Sequence, residues 1–127
     1  MNKYLLAALL LVLPLRVDAG GNDIQIARGV VCDSKAQVER LVSLVSDATD
    51  PHQALALVNR EAANPRACGA ALVGFINAKE SGVIRDRGHT FRVVELTIVA
   101  VPSATGSWTF IQPITQYAAF PVDEIEA

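Results

Sequence analysis

Cys32 and Cys68 are the only two cysteines of the chain. Two thiols at this distance in sequence can close a disulfide, or they can stay reduced as buried side chains or a redox pair. The redox pair is disfavoured, because no Cys-x-x-Cys motif lowers the thiol pKa. The compartment decides between the other two, since disulfides persist in oxidising surroundings.

The remaining groups with chemical potential are few. His52 and His89 lie in different segments, and neither has a second histidine or cysteine at ligand spacing, so no metal site is expected. Ser81 and Ser103 sit in turn-like stretches without a Gly-x-Ser-x-Gly elbow. Glu95 is the only acid within a strong strand run, and general acid–base work by a carboxylate pair needs a second one facing it. No glycine-rich phosphate loop or dinucleotide fingerprint is present, so no cofactor is expected. No residue is assigned a catalytic role.

Two groups remain as binding candidates. Arg85, Arg87, His89 and Arg92 form a local basic cluster in a chain with a net charge of −2. Guanidinium groups grouped this way suit a carboxylate or another anionic group on a partner. Trp108, with Phe110 and Tyr117 on the same run, suits an interface anchor. The overall acidity excludes nucleic-acid binding by bulk charge.

The elements that must position these residues begin with a leader. Lys3 precedes an apolar run over residues 4–15, and Val17 and Ala19 occupy the −3 and −1 positions of a cut after Ala19. The run is too short to span a bilayer, which takes about 20 residues. Residues 1–19 are therefore read as a cleaved signal peptide. Residues 20–127 are read as one small exported domain, periplasmic or secreted, with no membrane span after cleavage. Export makes the Cys32–Cys68 disulfide the expected state.

A short strand over residues 23–31 delivers Cys32. Ser34 with Gln37 is a capping-box pattern, and Val38, Leu41, Val42 and Val45 then share one helical face as far as Asp47. Asp50-Pro51 opens a second helix with apolar Ala54, Leu55, Val58 and Ala62, ended by Asn64-Pro65. Residues 70–76 are apolar throughout and read as a strand buried on both faces, with Gly69 and Gly74 marking a bulge or a close backbone approach. Turns are expected at 80–82 and 86–88, with a short strand at Val83-Ile84 between them. Residues 91–101 alternate as a strand, 102–106 turn, and 108–117 return, with Pro113 at an edge or a bulge. Residues 121–127 read as a flexible acidic tail.

This order predicts an α+β fold: an antiparallel sheet of three to five strands packed against an N-terminal helical hairpin. The runner-up is a small SH3-like or OB-like β-barrel with a helical lid. The functional expectation is a non-catalytic exported module that binds a protein or a cell-envelope component. A small hydrolase or transferase built on His89 with Glu95 or Asp86 is one alternative. A structural subunit assembling through its last strand is the other.

Overall fold

The computed structural model describes residues 10–19 and 22–122. They form strands β1 (Leu10–Ala19) and β2 (Asn22–Cys32), helices α1 (Lys35–Ser46) and α2 (Pro51–Glu61), and strands β3 (Cys68–Asp86), β4 (His89–Pro102) and β5 (Trp108–Pro121). The sheet is antiparallel throughout in the order β1-β2-β3-β4-β5, and it curls until β5 meets β2 at the single pairing Cys32↔Tyr117. The α+β class is thus observed, with the helical hairpin between the first strands and the main run of strands.

Local sequence sets the helices. The Ser34 hydroxyl accepts from the Gln37 amide at 3.2 Å, and Gln37 Oε1 accepts from the Ser34 amide at 3.0 Å, so both halves of the capping box form. The Asp50 carboxylate caps α2 by accepting from the amides of His52 and Gln53, and Pro51 takes the first helical position. α2 ends at Glu61, earlier than Asn64-Pro65 predicts. Asn64 instead caps the connecting turn, its side chain accepting from the Arg66 amide. Arg40 bridges the two helices through a bidentate contact with Glu61 at 3.1 and 3.2 Å. That hydrogen bond, and then the carboxylate charge, raise the Arg40 pKa above its usual value.

Two apolar clusters lie on the two faces of the sheet. On the helix side, Val38, Leu41, Val42, Val45, Ala54 and Val58 pack onto Cys32, Cys68, Phe91, Val93 and Ala119. On the other, Ala27, Val31, Val73, Phe75, Val94, Leu96, Ile98 and Ala118 are brought together as the sheet curls. β4 serves both clusters, because alternate side chains point to opposite faces.

The middle of β3 corrects the expected turn at 80–82. The strand continues through that stretch as a β-bulge. Glu80 pairs with Val94 and Gly82 with Val93, which leaves Ser81 as the extra residue. Lys35, the first residue of α1, donates from Nζ to the Ser81 carbonyl at 2.8 Å. The polar composition that suggested a turn belongs instead to a bulge pinned by the helix start. The turn at 86–88 is a two-residue hairpin loop with positive φ at Arg87 and Gly88, as the tight connection Asp86↔His89 requires.

Smaller differences follow the same logic. Gly74 marks a close approach: a Cβ there would lie 2.9 Å from Ile24 Cγ2 and 3.3 Å from the Ala100 Cβ. Gly69 does not, since it pairs in register with Val31 and a Cβ would meet nothing. Residues 70–76 are fully buried only at Val73–Phe75. Pro113 sits in the register shift of β5 between the pairs Ile98↔Ile114 and Ala100↔Phe110, where no ladder donor is needed. Pro121 closes β5, and the Val122 amide donates to the Thr90 carbonyl at 3.0 Å, so these two residues of the expected tail are paired with β4. Residues 123–127 lie outside the described residues. So do residues 1–9 of the expected leader, while residues 10–19 run along β2 as β1.

Candidate functional site

Cys32 and Cys68 are bonded, and they are directly opposed in the β2–β3 ladder. The bond closes the loop that holds both helices. Both cysteines are fully buried, and neither sulfur is a free nucleophile. A residue that spacing and motif do not flag sits beside them. Asn59 of α2 accepts from the Cys68 amide at 2.7 Å and donates to the carbonyls of Cys68 and Pro65 at 3.0 and 3.1 Å. One side chain thus satisfies the backbone on both sides of the return into the sheet. The Asn59→Ala variant is expected to lose about 2–3 kcal/mol, read as a lower urea midpoint at unchanged m, because it strands buried backbone groups.

The basic cluster is divided by the hairpin geometry. Val83 pairs with Arg92, and Arg85 with Thr90, so these four side chains share one face. With Glu80, Val122 and the Phe91 segment they line an open cleft of about 440 Å³. Arg92 is held there by Glu80, Nε to Oε1 at 2.8 Å. Arg87, at the loop, is turned away onto Asp47 at 2.7 Å, with Asp86 at 4.0 Å. His89 pairs across the loop with Asp86 and does not line the cleft. Arg85 is exposed and makes no ion pair among the described residues.

Trp108 does not join this group. It pairs with Pro102, at the far end of β4 from Thr90, roughly 40 Å away measured along the strand at about 3.3 Å per residue. There, half-buried, it lies in an apolar group with Ile24, Ile26, Gly74, Ala100 and the exposed Phe110. Glu95 lies opposite Lys79 and Tyr117, away from the cleft. His89 and Asp86 are cross-strand neighbours, but neither lines this cleft, and Glu95 lies apart from both along β4. Among the described residues no group of three metal-ligating side chains converges.

The cleft offers one guanidinium without a carboxylate partner among the described residues, the Thr90 hydroxyl and the apolar flanks of Val83 and Val122. Such a set presents a positive charge and a hydroxyl beside an apolar rim. Comparison with protein-family models, with curated proteins and with solved structures finds no match to this chain.

Proposed function

We propose that the chain is an exported binding domain, periplasmic or secreted, and that its hairpin cleft receives an anionic group of a protein or cell-envelope component. The observation that carries this reading is Arg85. Of the three arginines on the hairpin, Arg87 and Arg92 are neutralised by Asp47 and Glu80, while Arg85 points into the cleft without a carboxylate among the described residues. A cation without a carboxylate partner among the described residues, beside exposed Val83, favours a ligand that brings its own carboxylate or phosphate next to an apolar part.

Export is supported by the leader pattern of residues 1–19 and by the bonded cysteines. No described helix is long and apolar enough to cross a membrane.

Capture from a cell-envelope extract tests the reading with three baits: wild type, Arg85→Gln and Arg87→Gln. A charge-assisted hydrogen bond is worth about 1.5–3 kcal/mol, so the species that belongs to the cleft is expected to bind about 10- to 100-fold more weakly to Arg85→Gln. Its capture by Arg87→Gln stays within about twofold of wild type, as for an exposed ion pair that does not face the ligand. Equal capture of every species by all three baits removes the cleft from the function.

A further inference from the structure

The edge of β2 carries two different neighbours. In an antiparallel ladder successive residues send their N–H and C=O to opposite sides. The Asp33 amide bonds the Ala67 carbonyl at 2.8 Å, which assigns the odd residues of β2 to β3. The even residues, Ile24, Ile26, Arg28, Val30 and Cys32, therefore face the other side. There Cys32 meets Tyr117 of β5, and from Gly29 back to Asn22 the edge is occupied by β1. β1 also comes within 8 Å of β5 between Cα atoms, so it fills the seam where β5 diverges from β2. Its own register shift falls between Leu13 and Arg16, at Pro14, where a missing N–H costs nothing.

β1 lies wholly inside the expected leader. We propose that cleavage after Ala19 opens this seam, and that in the exported domain it is a docking site for an extended apolar segment of another protein, which enters antiparallel to β2. This rests on the export half of the reading above, not on the hairpin cleft. The chemistry of the occupant is read from the segment seated there in the uncut chain: ten residues, Leu-Leu-Val-Leu-Pro-Leu-Arg-Val-Asp-Ala, mostly apolar and extended. β5, the other strand that β1 approaches, carries Phe110 and Ile114, which are 58% and 46% exposed and are two of the three large apolar side chains exposed among the described residues. Backbone hydrogen bonds from the open edge supply affinity for such a strand, and apolar side chains on alternate positions supply selectivity.

The test begins with the full chain expressed in a secreting host and recovered from the exported fraction. Intact mass establishes whether residues 1–19 are gone. Hydrogen exchange at the amides of Ile24, Ile26 and Arg28 is then followed with and without a synthetic peptide of the sequence of residues 10–19 carrying a solubilising tail. The expected result is a cut, monomeric chain whose three amides exchange fast alone and about 100-fold slower with peptide at 100 times its Kd. A peptide N-methylated at the positions of Leu11, Leu13 and Val17 gives no protection. A cut chain whose Ile24, Ile26 and Arg28 amides are already as protected as those of Ala27 and Val31 overturns the proposal and leaves export standing. So does a cut chain that light scattering shows to be a dimer, since a second copy then takes the edge. A chain that retains residues 1–19 after export overturns both the cleavage and the docking site.

Discussion

Reducing the Cys32–Cys68 bond is expected to remove about 4 kcal/mol of stability. The bonded positions are 36 apart in sequence, and loop-closure entropy for a ring of that size gives this figure at room temperature. A small domain has about 5–15 kcal/mol in total, so the loss is a large share of it. The effect reaches beyond entropy. The ring contains α1 and α2, and the bond joins the two strands that enter and leave them. With the sulfurs apart, the helices are held over Phe91 and Val93 by their apolar face, by Asn59, by the Lys35–Ser81 hydrogen bond and by the exposed Arg87–Asp47 ion pair. Urea unfolding of the Cys32→Ala/Cys68→Ala variant should show the drop as a lower midpoint, and exchange protection should fall first in the helices. A variant as stable as the wild type would mean that packing alone fixes the helical layer.

The second large effect is expected at Phe91. Its side chain is fully buried between the helices and the β3–β4 hairpin, opposite Ile84 and Pro121, while its backbone segment lines the cleft. Truncation to alanine costs about 3–5 kcal/mol through lost burial and the cavity left behind. Val83, 47% exposed on the cleft face, is the control: Val83→Ala should stay within about 0.5 kcal/mol. Because Phe91 and the disulfide act on the same cluster, Phe91→Ala in the reduced protein should leave little folded population. A Phe91→Ala cost near that of Val83→Ala would show that the helices do not depend on this contact.

These two residues also mark what the chain displays openly and what it conceals. Both helices can be read from Ser34, Gln37, Asp50 and Pro51, because caps act locally and their geometry follows from residue type. The cysteine pair can be read once the leader pattern is taken to place the chain in an oxidising compartment. The hairpin loop at Arg87-Gly88 and the bulge at Pro113 also follow from backbone chemistry that a single residue imposes.

The candidate site was less legible, since it depends on which residues meet across strands. Four basic residues close in sequence look like one patch. Strand alternation and the bulge at Ser81 leave Arg85 and Arg92 in the cleft, and the loop carries Arg87 over to Asp47. Trp108 and the basic patch are two separate candidates in the sequence, and only the direction of β4 and β5 shows them at opposite ends. Asn59 escapes notice because an asparagine in a helix has no pattern to announce a bond to a strand nine residues later. β1 escapes it too, because an apolar run fits a leader and a strand equally well.

Intact mass of the protein recovered from its exported compartment, with and without an alkylating agent and without reductant, tests the account most directly. The predicted species begins at Gly20, is lighter by two hydrogens than its reduced form, and takes up no alkyl group. A species that still begins at Met1, or one that gains two alkyl groups at Cys32 and Cys68, would contradict it.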